Sequence, residues 1–325
     1  MARYLSSTEL IESIKDRAQI PENQITFTPE RFLRFATQEL DAAIVPYVMQ
    51  YHEDYFLVTE DIPLVSGQSK YSIPYRAIGN KLRDVSFLDQ APGLPSTTIF
   101  EMTRVSIEDV SFYQYGGSNG AYSNNGLRAF YMADDQICLL PEDIGTGPQT
   151  GFLRVSYYIR PNQLVLEERI ATITSINRTT GEIGVANIPA NITLGVNLDL
   201  IKVKSPHKCL VIDVQATNIN TNNNTITFDL TDIPANLVVG DMIALAEECS
   251  IPMIPTDMHS MLAQRVACRC LEALGFTVEL QNANLKLSEM EQKGATVIDN
   301  RVEGAPFKIT NRHSFLNRSR QSNRS

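Results

Sequence analysis

PTDMHSMLAQRVACRCLEALG, residues 255–275, decides how the rest of the chain is read. Leu262, Val266, Cys270 and Leu274 recur at every fourth position. Ala263, Ala267 and Leu271 widen the stripe, while Gln264, Arg265, Arg269 and Glu272 gather on the opposite side, the pattern of a helix packed on one face. Thr256 stands where an N-cap belongs, and Gly275 where a chain leaving a helix takes left-handed angles. Beyond it, residues 282–293 carry Leu285, Leu287 and Met290 among polar groups and predict a second, outer helix ending at Gly294.

A one-sided helix needs a partner, and the sequence supplies one at the other end of the chain. Ser6 and Glu9 have the spacing of a capping box ahead of Leu10, Ile11, Ile14 and Ala18, with a stop at Pro21. Thr28, Pro29 and Glu30 then open a stronger helix through Phe32, Leu33, Ala36, Leu40, Ala43, Ile44, Tyr47 and Tyr51, which Pro46 should bend or end. Pairing these helices with residues 256–274 makes everything between them an insertion. The expected contacts are Phe32, Leu33 and Leu40 against Leu262, Val266 and Leu271.

From residue 55 the period changes to strands rich in β-branched and aromatic residues, bounded by Gly, Pro, Asn or Asp. Asp134 and Asp135 are expected to turn a hairpin between Met132 and Ile137, and residues 157–161 to form a last strand leaving the sheet. A short helix is expected at 106–115, followed by QYGGSNGAYSNNG (114–126), which reads as a surface loop. Residues 166–249 hold a repeat. IPANITLGVNLDLI from Ile188 matches IPANLVVGDMIAL from Ile233, and TSINRTTGEIGV from Thr174 matches TNINTNNNTITF from Thr217. Each copy reads as a hairpin followed by IPAN and a Gly-containing third strand. The expected class is α+β: a helical bundle of N- and C-terminal helices with large antiparallel β insertions and an extended C-terminal arm. Its parts are helices in 1–51, a β domain in 52–165, the duplicated module in 166–249, helices in 250–300 and the arm in 301–325.

The composition, 43% hydrophobic and 20% charged, is that of a globular protein with room for about two domains. No signal-peptide pattern opens the sequence and no apolar run is long enough for a membrane, so assembly in a cytoplasm and free cysteines are expected. Charge is divided unevenly. Residues 301–325 hold six Lys or Arg against one acid, net +5, whereas residues 1–300 hold 22 basic against 36 acidic groups, net −14. A basic arm with Phe307, Phe315 and Leu316 as its anchors reads as a segment that orders on a partner. The acidic body argues against general nucleic-acid adhesion, which needs a basic surface.

Chemistry is sparse. None of the four histidines has a metal-ligand spacing; His207 with Cys209 comes nearest and lacks further ligands. There is no dinucleotide fingerprint, P-loop or nucleophile elbow, so no catalytic residue, metal or cofactor is expected and an enzyme is not the reading.

Five stretches together carry a family likeness: FTPERFLRFATQELDAAIVPYV (27–48), KYSIPYRAIGNKLRDVSFLD (70–89), YYIRPNQLV (157–165), MLAQRVACRCLEALG (261–275) and VIDNRVEGAPFKITNRHSFLNR (297–318). In these the chain resembles the head-to-tail adaptor, or connector, proteins of tailed bacteriophages. The duplicated module has no clear place in that pattern. The resemblance implies a structural virion protein of the neck, assembled in the host cytoplasm as a ring of commonly twelve copies beneath the portal protein. It also implies attachment of nozzle or tail-tube proteins and a channel that passes genomic DNA without sequence-specific binding. By the same resemblance the arm climbs between portal subunits, with Arg312, Arg318, Arg320 and Arg324 meeting portal acids and Phe307, Phe315 and Leu316 filling pockets. The alternative is a tail appendage or a receptor- or carbohydrate-binding β protein that uses the Asn loops at Asn177 and Asn220.

Overall fold

A computed structural model describes residues 4–21, 26–89, 98–111, 129–140 and 151–298. The chain is mixed α+β. The first helix, α1 (Ser7–Ala18), opens on the expected capping box: the Ser6 hydroxyl accepts from the Glu9 N–H and the Glu9 carboxylate from the Ser6 N–H. Thr28 caps α2 (Pro29–Glu39). Pro46 does not end this rod. A π-helical turn, Leu40–Ile44, carries α2 into α3 (Val45–Tyr51), and the wider turn absorbs the missing proline donor in the first turn of α3.

Two corrections fall on the last helices. Thr256 is not an N-cap. A 3-10 turn, Thr256–Met258, precedes α4 (His259–Leu274), which starts without a side-chain cap, and the Thr256 hydroxyl is engaged by His207 instead. The outer helix, α5 (Thr277–Ile298), is longer than its apolar spacing suggests and runs through Gly294. That glycine is buried where a Cβ would lie 3.1 Å from the Tyr47 hydroxyl and 3.2 Å from the Met258 methyl, so it permits close approach rather than stopping the helix. Gly275 does end α4, at φ +76°.

Phe32, Leu33, Leu40, Leu262, Val266 and Leu271 are all buried in one apolar cluster, to which α1 adds Leu10 and Ile14 and α5 adds Ala283 and Ile298. Charges stitch the outside of this layer: Arg265 pairs with Glu291 and Glu39, and Arg269 pairs with Glu39 and lies over the Phe35 ring.

The strands follow in chain order: β1 (Leu57–Pro63), β2 (Lys70–Ser72), β3 (Ala77–Asp89), β4 (Thr98–Glu101), β5 (Thr103–Arg104), β6 (Ala129–Ala133), β7 (Gln136–Leu140) and β8 (Phe152–Ile159). They form two four-stranded sheets, ordered β1-β8-β3-β4 and β2-β7-β6-β5. Val85, Phe87, Leu153, Val155 and Tyr157 of the first share a core with Tyr71, Phe130, Ile137 and Leu139 of the second. The β6–β7 hairpin turns at Asp134 and Asp135, both with positive φ. Strand β8 is the last strand of this unit in the chain, which leaves the sheet after Ile159, and it lies centrally, paired along its length with β1 and β3. Of the helix expected at 106–115, a 3-10 turn at Ile107–Asp109 leads into helical residues Val110 and Ser111; residues 112–115 and the loop at 114–126 lie outside the described residues.

The second β unit contains β10 (Ala171–Asn177), β11 (Glu182–Val185), β12 (Asn197–Lys202), β13 (Lys208–Gln215), β14 (Asn218–Asn220), β15 (Thr225–Thr227) and β16 (Met242–Leu245) in one seven-stranded sheet, ordered β13-β12-β16-β10-β11-β15-β14. A short parallel pair, β9 (Gln163–Leu164) with β17 (Glu248–Cys249), ties its two ends to each other, and the Leu164 N–H donates to Thr37 of α2. The repeat in the sequence is a pseudo-two-fold axis in the fold. Matching residues pair with each other: Ile183 with Ile226, and Asp199 with Ala244. The flanking pairs exchange across the same axis, Leu198 with Leu245 as Leu200 with Ile243, and Ala171 with Ile243 as Val214 with Leu198. The IPAN segments are turns, and each third strand begins after its glycine, not on it.

Candidate functional site

The main polar construction lies where the two β units meet. Arg76 follows β2 and is 3% exposed, a position that a guanidinium can hold only with its donors matched. It donates to both carboxylate oxygens of Asp199, at 2.7 and 3.0 Å, to Asp213 at 2.8 Å, and through Nε to the Tyr75 hydroxyl at 3.1 Å. Asp199, fully buried, accepts in addition from the Asn162 amide at 2.7 Å and from the main-chain N–H groups of Asp213 and Glu247, each at 3.1 Å. The Tyr75 hydroxyl closes the ring by donating to Asp213 at 2.9 Å. Burial works against the charge on Arg76, but the bonds and charge of Asp199 outweigh it, and its pKa is held above the ordinary value. Three parts of the chain thus converge on one carboxylate: the first β unit through Arg76, the connection after β8 through Asn162, and the duplicated module through Asp199 and Asp213.

The knot fixes geometry; it offers no activated nucleophile. Cys209 lies 3.8 Å from both Asn162 and Asp199, and burial first, then the Asp199 charge, pushes its thiol up. Burial pushes the Cys249 thiol up to about 12. Both remain protonated near neutral pH and are poor nucleophiles. His207 and Cys209 do not converge on a common point, since His207 turns to Thr256 at 3.2 Å. Among the described residues, no group of three or more His, Cys, Asp or Glu could hold a metal ion.

A second buried cluster joins Tyr4 and Leu5 to the start of α4. His259, at the start of α4, and His207 lie with ring centroids 5.3 Å apart and planes tilted by 39°, and Tyr4 packs edge-on against His207 at 5.8 Å. The Leu5 N–H donates to His259 Nδ1 at 3.0 Å, which leaves Nε2 as the protonated nitrogen, facing the Ile254 carbonyl at 3.4 Å.

Of the residues expected from the sequence to matter, the six apolar helix positions come together as described above. Phe307, Arg312, Phe315, Leu316, Arg318, Arg320 and Arg324 lie outside the described residues. The sequence reading missed Arg76, Asn162, Asp199, Asp213 and His259. One signal was present: Asp199 interrupts the apolar run NLDLIKV at a position that the second copy fills with Ala244. No helix among the described residues is long and apolar enough to cross a membrane. No protein-family model matches the chain, and no curated protein matches it.

Proposed function

We propose that this chain is a head-to-tail adaptor of a tailed bacteriophage: a structural subunit that forms a ring under the portal, continues the DNA channel and carries the tail. The observation that carries this reading is the meeting of the first and last helices among the described residues. Helices α1 to α3 and helices α4 and α5 share one apolar cluster, so on this reading they act as a bundle from which both β units are held out as insertions. The basic segment then continues from the end of α5 at Ile298, itself buried in that cluster. An arm rooted on a firm helical layer can order on a neighbouring protein without disturbing the subunit that carries it. The Arg76 knot supports the same reading, because a subunit that transmits load between head and tail needs its β units fixed on each other. The net −14 on residues 1–300 suits a channel along which phosphates slide rather than stick.

Deleting residues 305–325 tests the role of the arm. The truncated chain is expected to keep its folded spectrum and its thermal midpoint while losing co-sedimentation with portal rings. Undiminished co-sedimentation contradicts the proposal.

A further inference from the structure

The entry of α1 is held by two acceptors that acid removes. The His259 ring accepts from the Leu5 N–H only while Nδ1 is unprotonated, and the Glu167 carboxylate accepts from the Thr8 N–H at 3.4 Å. Tyr4 lies against the second imidazole, His207. Both rings are nearly solvent-free, at 1% and 2% exposure, so a proton on either has no water to stabilise it. We propose that the His259–Leu5 contact, backed by His207 and by Glu167 on Thr8, is an acid-sensitive latch that holds the entry turn of α1 at neutral pH and releases it on acidification.

The surroundings favour release rather than compensation. From the turn before β13 the facing group is His207 and, beyond it, from the end of β12, the Lys202 cation; from the 3-10 turn before α4 it is the neutral Thr256 hydroxyl. The entry segment contributes the Tyr4 phenol, and the segment before β1 contributes Tyr55, whose phenol faces the His207 main chain. The two thiols of the adjoining apolar cluster, Cys209 and Cys249, stay neutral. Among the described residues no carboxylate pairs with either ring; Glu167 is engaged by Thr8. A proton on His259 Nδ1 therefore breaks the bond to Leu5 and sets a cation beside His207 with no counter-charge.

The sign follows from linkage. Burial first, and then His207, push His259 down to about 4, against an ordinary value near 6.5. The docked form thus stays neutral where the released form takes up a proton. The latch is at full strength above about pH 6.5 and weakens as pH falls toward 4, by at most about tenfold per unit for this one group, the bound reached where release hydrates the whole ring. His207 is lowered too, by burial first, and adds in the same direction. Glu167, held below its usual range by hydrogen bonds from Ser6 and Thr8, adds a further loss as pH falls through the carboxylate range. Leu10 and Ile14 are fully buried, so release is confined to the turn ahead of them.

The test is amide hydrogen exchange of the intact chain from pH 7.5 to 4, corrected for intrinsic rates. Opening of amides 5–9 is expected to rise by about 10- to 40-fold between pH 6.5 and 4.5, with far smaller changes in α2 and α4. In His259→Asn, whose amide oxygen can accept from Leu5 without titrating, most of the rise should vanish. A rise that survives in this variant, or one shared equally by every helix, overturns the latch. Should the variant fail to fold, the histidine ring signals of the unaltered protein decide: a ring titrating near 4 together with the Leu5 amide supports it, and one titrating near 6.5 without that amide overturns it.

Discussion

The two copies in the duplicated module solve the same local problem identically and differ where the module meets the rest of the molecule. In both hairpins an asparagine side chain accepts from main-chain donors two and three residues on, Asn177 from Thr179 and Thr180, Asn220 from Asn222 and Asn223. In both, the residue closing the turn has positive φ, Gly181 and Asn224. Yet on the pseudo-axis the first copy places Asp199 and the second Ala244, both fully buried. Of these two positions, Asp199 is the one that meets a guanidinium. Divergence between the copies therefore marks the contact that orients the module on the first β unit, whereas their agreement marks what each hairpin needs to fold.

The largest test of that comparison is at the axis. Asp199→Ala leaves Arg76 buried with only Asp213 as its anion and should cost about 3 kcal/mol, read as a drop in urea midpoint. Ala244→Asp should cost a comparable amount, because the new carboxylate has no guanidinium. Replacing both members of the first pair, Arg76→Met with Asp199→Leu, should recover only part of the loss, because the Asn162 amide and the Asp213 and Glu247 N–H groups still lose their acceptor. If Asp199→Ala is as harmless as an average surface change, the knot does not hold the units together.

A middle-sized effect is expected at the turn-closing positions. Gly181 has φ +76°, and a Cβ there would lie 2.2 Å from the Phe228 carbonyl oxygen. Gly181→Asn, which imports the residue of the other copy, should cost about 1–3 kcal/mol, while the reverse exchange, Asn224→Gly, should change stability by about 0.5 kcal/mol or less. Equal costs would mean that the two turns are held alike and that the axis is more exact than the side chains suggest.

The smallest effect sharpens the likeness. Asn177→Ala and Asn220→Ala each remove a pair of local bonds on exposed turns and should each cost about 0.5–1 kcal/mol, equal within error by thermal melting. Inequality would show that one hairpin is stiffened by contacts the other lacks. Arg178 is the candidate, since it donates to the Pro234, Ala235 and Leu237 carbonyls while its counterpart is Thr221.

What could be read in advance was local. The Ser6–Glu9 box, the Thr28 cap, the Asp134–Asp135 turn and the Gly275 stop each depend on residues within about one turn of one another, and each is present. The repeat was legible because matching segments carry matching turn residues. The mixed α+β class followed from the change of period near residue 55. What escaped was set by distance in the chain: Arg76 meets Asp199 across 123 residues, and Leu5 meets His259 across 254. Tertiary demand also overrode local signals. Gly294 reads as a stop but serves close packing, Pro46 reads as a bend or an end but falls after a π turn and does not end the rod, and Thr256 reads as a cap but is held by His207.

The central functional claim is that the chain works as a ring subunit on a portal. The most direct measurement is the mass and shape of the purified protein, alone and mixed with portal rings of the same phage, by light scattering and negative-stain microscopy. The account predicts a monomer that becomes a closed ring on the portal; a stable trimer indifferent to portals would contradict it and move the reading to a tail appendage.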